Sequence, residues 1–365
     1  MRRDRDQATS GPGLRQRPET SALLRSLPKV ELHRHLEGAM RLATLLELGR
    51  NQGLQLPLAD ERSLAPHVTW QSGQPRNLPY FLSKFRADWY AGAADVERVA
   101  AEAVADAAAE GIVYLELRFS PEHFSRHSGL DRDGAMRAVI AGARAAAAAA
   151  GIEVRFLITF TRERYDEPAW RQTIDRAAAM ADRGVVGVDL AGDEFAHPNE
   201  RFAAIMRRAR DTGVLGVTIH SGEGTSAASV ASAVEQLGCD RIGHGISAAE
   251  EPRVMTQLIE RGVTLEVCPT SNYQTGCIDD LADHPLPALV DAGVAVSLNS
   301  DDPAIQGVEL ADEYALAGSW GFGPKRLLAL ELNAARAAFA PSAERERLAA
   351  RIEAGYRAAM EPEPP

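Results

Sequence analysis

The sequence predicts an α/β fold in which eight parallel strands close into a (β/α)8 barrel, a reading that rests on three observations. From Gly111 onward, short β-rich runs alternate with helical segments. Several of these runs follow a helix that ends in glycine, at Gly184, Gly213, Gly262 and Gly293, the stop-then-start pattern of repeated βα units. Polar residues able to do chemistry gather at the C-terminal ends of the runs, where barrels of this kind carry their sites.

The first strand is predicted over Val30–His35, from alternating apolar and polar positions. Residues two apart on a strand share a face, so His33 and His35 present both imidazoles to one point, as the first half of a transition-metal site does. A mostly helical stretch from Ala39 to Glu110 follows and reads as an insertion at the barrel mouth. Within it, Phe81, Phe85 and Trp89 recur at i, i+4, i+8, the spacing of one helical face. Core packing is the favoured reading of that face, and an aromatic wall over a strand-end pocket is the alternative. Asp95–Ala109 reads as a helix stopped by Gly111. Strands are then expected at Ile112–Phe119, Glu153–Phe160, Val185–Leu190, Gly216–His220, Arg241–His244, Thr264–Val267 and Ala295–Leu298. Helices are expected at Ala135–Ala150, Trp170–Ala181, Glu200–Arg210, Ser226–Leu237, Glu251–Arg261 and Leu286–Asp291. An open doubly wound sheet normally carries a Gly-rich phosphate turn after its first strand, and this chain has none there.

The 365 residues are assigned to a tail over 1–25, one domain over 26–360 and a second tail over 361–365. Residues 1–25 mix Arg, Asp, Gln, Ser, Gly and Pro with no apolar run, which predicts a disordered tail and no secretory signal. A net charge of −11 disfavours a nucleic-acid partner, and no apolar run is long enough to cross a bilayer. Three cysteines without a CxxC pair point to a reducing compartment, so a cytoplasmic location is expected. The sequence carries no signal for oligomeric state.

At the strand ends stand His33, His35 and Glu37; Asp189 through Glu194; His220 and Glu223; His244; and Asp301 with Asp302. Four of the nine histidines fall there. Three imidazoles and a carboxylate suit zinc, which takes N and O ligands and can lower the pKa of a bound water to about 7. Glu223 then serves as a proton shuttle that is not a ligand, and His244 or the Asp pair handles the water. Binuclear barrel hydrolases commonly bridge two metals with a carboxylated lysine on the fourth strand. Lysine occurs here only at Lys29, Lys84 and Lys325, so one zinc per chain is expected.

The segments His33-x-His35-Leu36-Glu37-Gly38, Gly187-x-Asp189-Leu190-Ala191-Gly192-Asp193-Glu194, His220-Ser221-Gly222-Glu223, Arg241-Ile242-Gly243-His244-Gly245, Cys268-Pro269-Thr270-Ser271-Asn272 and Ser300-Asp301-Asp302-Pro303 resemble the motif series of the adenosine deaminase family. They occur in the family's order and span about Pro28 to Phe339. The resemblance implies a zinc-dependent hydrolytic deaminase acting on the 6-amino group of a purine. It makes His33, His35, His220 and Asp301 the metal ligands, Glu223 the acid at purine N1 and His244 the group that orients the attacking water. It also implies substrate contacts from His35, from Asp302 to N7, from the Gly192 N–H to N3 and from Glu37 to the ribose 5′-hydroxyl. The animal enzymes carry Asp at the Glu37 position. The cytidine-type zinc deaminase signature is absent.

Adenosine and 2′-deoxyadenosine are the expected substrates, since Gln274-Thr275-Gly276 and Asn333-Ala334-Ala335-Arg336 resemble nucleoside-type members. Adenine and 6-aminodeoxyfutalosine are the rival substrates, the latter if Arg34 reaches the pocket beside Glu37; a non-catalytic nucleoside-binding relative is a third reading. Cys268 is read as a packing residue, and Asp193 and Glu194 as supports of their loop. His67, His123, His127, His197 and His284 are read as surface or structural.

Overall fold

The computed structural model describes residues 20–360, and the expectations for residues 1–19 and 361–365 lie outside them. Eight parallel strands pair in sequence order: β1 Lys29–His35, β2 Ile112–Phe119, β3 Glu153–Thr161, β4 Val185–Ala191, β5 Gly216–Ser221, β6 Arg241–His244, β7 Thr264–Val267 and β8 Val296–Leu298. Each boundary lies within one residue of its predicted position. The expected (β/α)8 barrel forms, with four helices (Leu42–Gln52, Glu61–Val68, Leu78–Leu82, Ala93–Ala109) inserted after β1.

The barrel closes at a seam that also builds the site. β8 is only three residues long, so its continuation joins β1 through a parallel bridge between Arg34 and Asp301. There His35 N donates to Asp301 O at 2.8 Å and Asp301 N to His33 O at 2.9 Å. Below the bridge, side chains replace the missing ladder: Leu32 N donates to Asn299 Oδ1 and Val30 N to Glu331 Oε2. Buried N–H groups need such partners, and here they come from other elements.

Three expectations are corrected. Residues 20–25 are not all tail: Thr20–Ser26 forms a helix, and the buried Lys29 ammonium holds its end by donating to the carbonyls of Leu24, Arg25 and Leu27. Phe81, Phe85 and Trp89 do not share a helix, because the helix ends at Leu82. Phe81 and Phe85 still approach each other (6.0 Å between ring centroids) and line the strand-end cavity, while Trp89 packs in the core against Gly49. The expected helix Ser226–Leu237 is split into Ala227–Ser232 and a π-helical turn Ala233–Leu237.

Candidate active site at the C-terminal end of the barrel

The C-terminal strand ends enclose a cavity of about 360 Å³ whose lining includes His35, Glu37, Phe81, Phe85, Glu223 and Asp302. That volume suits a small organic ligand. A larger groove, about 1380 Å³, opens at the opposite end of the barrel among the strand N-termini and holds none of the predicted site residues.

His33 and His35 on β1, His220 on β5 and Asp301 after β8 meet at the cavity floor, with one ligand atom from each lying within 4.8 Å of the others. His35 Nε2 and His220 Nε2 are 3.3 Å apart, and Asp301 Oδ1 is 3.2 Å from His33 Nε2 and 3.5 Å from His35 Nε2. The far nitrogens of two rings are taken by carboxylates. His33 Nδ1 lies 2.8 Å from Glu266 Oε2, and His220 Nδ1 lies 2.9 Å from Asp189 Oδ1. A neutral ring that donates from Nδ1 carries a lone pair on Nε2. Lone pairs and a carboxylate oxygen thus converge on one point and repel unless a cation lies between them. This is the donor set and outer support of a histidine–carboxylate metal centre.

Behind the histidines, Arg118 on β2 donates to Glu266 at 2.7 Å and lies 3.4 Å from Asp189. Burial opposes ionisation of both acids, but the neighbours that pair with them outweigh it. His220 and Arg118 hold Asp189 well below the usual carboxylate range, and Arg118 and Arg241 do so for Glu266. Sequence reasoning gave Glu266 no role. Its signal was a charged residue between the apolar Leu265 and Val267 of the four-residue strand Thr264–Val267.

Two backbone features crowd these groups together. His244 and Asp301 both have φ of 60°, a region that costs a residue with a side chain about 1–2 kcal/mol. Such strain at two strand ends re-aims both side chains toward the cavity. Gly38 and Gly243 supply close approach: a Cβ on Gly38 would stand 1.9 Å from Asp302 Oδ1, and one on Gly243 would stand 2.9 Å from His33 Cε1.

Glu223 and His244 sit beside the cluster. His244 Nε2 is 3.6 Å from Glu223 Oε2 and 3.9 Å from Asp301 Oδ2. Glu223 Oε1 also accepts from Thr275 Oγ1 at 3.0 Å. Burial, then the charge of Asp301, pushes the Glu223 carboxyl up to about 8, and the same causes raise Asp302 well above its ordinary value. Asp302 Oδ1 and Glu37 Oε2 are buried with no hydrogen-bond partner among the described residues. The other Glu37 oxygen accepts from Ser120 N at 2.7 Å, and burial raises this acid to about 7. Gly192 also lines the cavity.

The remaining expectations sort cleanly. Arg34 does not line this cavity. A register shift between Glu31 and Arg34 turns both to one side of β1, where Arg34 forms a two-pronged pair with Glu110 and meets Ser300. Cys268 is fully buried, and burial keeps its thiol well above the ordinary value, as a packing residue requires. Asp193 and Glu194 support their loops: Asp193 accepts from the Phe195 and Ala196 N–H groups, and Glu194 from those of Gly222, Glu223 and Gly224. His123 and His284 are buried, and His123 lines the cavity.

Comparisons with known proteins agree with this geometry. The adenosine deaminase family model matches residues 28–355. An adenosine deaminase from Erwinia tasmaniensis is 41% identical over 333 residues, covering 90% of this chain and 98% of that protein. One from Vibrio parahaemolyticus is 40% identical over 335 residues, with 90% and 98% covered. Among solved structures, a zinc-bound amidohydrolase from Burkholderia ambifaria superposes with a TM-score of 0.86 at 26% identity, covering 96% of each chain. The adenine deaminase of Arthrobacter aurescens gives 0.80 at 27% identity, covering 91% of this chain and 99% of that one. A match that runs from β1 past the last strand, and so takes in every strand end that builds the cavity, leaves one conclusion: the chain belongs to the adenosine deaminase family.

Proposed function

We propose that this protein is a zinc-dependent hydrolase that converts adenosine and 2′-deoxyadenosine, with water, to inosine and 2′-deoxyinosine plus ammonia, in purine salvage. The observation that supports it most is the convergence of His33, His35, His220 and Asp301 beneath a nucleoside-sized cavity, with Glu223 and His244 alongside.

In this reading those four residues hold one zinc per chain. Bound there, zinc lowers the pKa of water to about 7 and so supplies the nucleophile at neutral pH. The rest of the chemistry belongs to the chain. Addition at C6 breaks the aromaticity of the purine, so a proton has to reach N1, and in this reading Glu223, whose carboxyl burial raises to about 8, gives it. His244 holds the attacking oxygen on the C6 face. Asp302, whose Oδ1 is otherwise unpartnered, meets N7 as a carboxylic acid, and the Gly192 N–H meets N3. Glu37 Oε2, also unpartnered, accepts from the ribose 5′-hydroxyl, and His35 lies against the same end of the substrate. The tetrahedral C6 then expels ammonia and the 6-oxopurine remains.

Curated relatives at about 40% identity carry the name adenosine deaminase, whereas the adenine deaminase similar in structure stands at 27%, which favours the nucleoside. Three free cysteines fit a cytoplasmic setting, and no helix among the described residues is long and apolar enough to cross a membrane. We take the catalytic domain to start at the Thr20–Ser26 helix. A panel of 6-aminopurines followed by ultraviolet absorbance and ammonia release tests the assignment.

A further inference from the structure

His244 ends a hydrogen-bond chain that runs away from the cavity. Leu286 N donates to His284 Nδ1 at 3.0 Å, His284 Nε2 lies 3.2 Å from Asn272 Oδ1, and Asn272 Nδ2 lies 3.1 Å from His244 Nδ1. All three side chains are buried, and neither Asn272 nor His284 lines the cavity.

The direction of the chain is fixed at its far end. A backbone N–H can only donate, so His284 Nδ1 accepts and the single proton of that neutral ring sits on Nε2. Burial, which lowers the pKa of His284 to about 3, keeps the ring neutral. Its Nε2–H donates to Asn272, which therefore turns its oxygen to His284 and its NH2 to His244. His244 Nδ1 must then accept, and the His244 proton is left on Nε2, the nitrogen facing Glu223 and Asp301. Trp320 stacks on His284, with centroids 5.1 Å apart and planes 16° from parallel, and holds that ring in place.

We propose that Asn272 and His284 are positioning residues that hold His244 as the Nε2–H tautomer, so that it meets the attacking oxygen as a hydrogen-bond donor. The part about the oxygen rests on the deaminase reading; the tautomer does not. A neutral His244 of this form has no lone pair toward the cavity, so it holds the oxygen and does not take its proton.

The test uses the zinc-loaded protein with 15N-labelled histidine and long-range 1H–15N spectra, with His244 assigned by its absence in His244→Gln. Wild-type His244 is expected to show a bare Nδ1 and a protonated Nε2. A proton on Nδ1 overturns the proposal. Asn272→Asp, an acceptor toward both rings, is expected to move the proton to Nδ1 and lower kcat by about 10–100-fold, with KM and zinc content nearly unchanged. His284→Gln keeps an N–H donor toward Asn272 and is expected to retain most of kcat, whereas His284→Leu falls with Asn272→Asp. Equal losses in Gln and Leu, or wild-type kcat in Asn272→Asp, also overturn the proposal. If Asn272→Asp does not fold, the wild-type spectrum and the His284 pair decide. A wild-type protein that releases no ammonia from adenosine refutes the deaminase reading and leaves the tautomer result standing.

Discussion

Glu194 carries the loop that carries Glu223: its Oε1 accepts the Glu223 backbone N–H at 3.0 Å while its Oε2 accepts that of Gly222 at 2.9 Å. The same carboxylate accepts from Ser229 Oγ at 2.9 Å. One side chain from the loop after β4 thus fixes the turn after β5, and with it the position of the proposed acid.

Glu194→Ala leaves those donors without their acceptor, and a buried unpaired donor costs about 1–3 kcal/mol. The expected outcome is a lower denaturant midpoint together with a fall in kcat, since Glu223 is released from its place. A variant with unchanged kcat shows that the loop holds itself.

The metal centre predicts close to one zinc per chain by elemental analysis of purified protein. His220→Ala removes one of the four proposed ligands and leaves Asp189 without the ring that donates to it, so metal and activity are expected to be lost together. Full activity after exhaustive chelation, with no metal detected, contradicts the assignment.

Glu223→Gln separates acid from ligand. Glu223 stands outside the four-residue cluster, so the variant should keep its zinc while kcat falls by about 10²-fold or more. Loss of zinc in this variant makes Glu223 a ligand.

Acid stability gives an independent check on the buried histidines. His284 titrates at about 3 when folded and near its ordinary 6.5 when unfolded, so between those values the unfolded chain binds the extra proton. Its contribution to stability is complete above pH 6.5 and is lost as pH falls toward 3, at about 1.4 kcal/mol per pH unit. Buried acids such as Glu313 and Glu331, raised to about 8 by burial, act in the opposite sense, so the difference between wild type and His284→Gln is what isolates this group. Denaturant unfolding at pH 6, 5 and 4 should show the variant losing less stability than wild type; parallel losses contradict the neutral ring.

The barrel and most of its site were legible because the signals are local. Glycine stops, short β-rich runs and polar strand ends are read one segment at a time, and the set His33, His35, His220 and Asp301, which the family resemblance implied, clusters at those strand ends. What escaped it depends on partners far apart in the chain. Glu266 serves His33 across 233 positions, and Arg118 serves Glu266 across 148, so neither shows in a local pattern. Arg34 was left open for a similar reason: only its pairing with Glu110, across 76 positions, shows that it faces the helical layer. Phe81 and Phe85 meet at the cavity without the shared helix their spacing predicts, because the chain leaves the helix at Ser83 and brings the second ring back through a turn.

The central claim is most directly tested by kcat/KM of the zinc-loaded protein on adenosine, 2′-deoxyadenosine, 6-aminodeoxyfutalosine and adenine, read as ammonia released per purine converted. One ammonia per nucleoside is expected, with a kcat/KM for adenine at least about 10²-fold lower, because the groups proposed to pair with the ribose would be left unpaired by the free base. Adenine turned over as well as adenosine, or 6-aminodeoxyfutalosine strongly preferred, would contradict it.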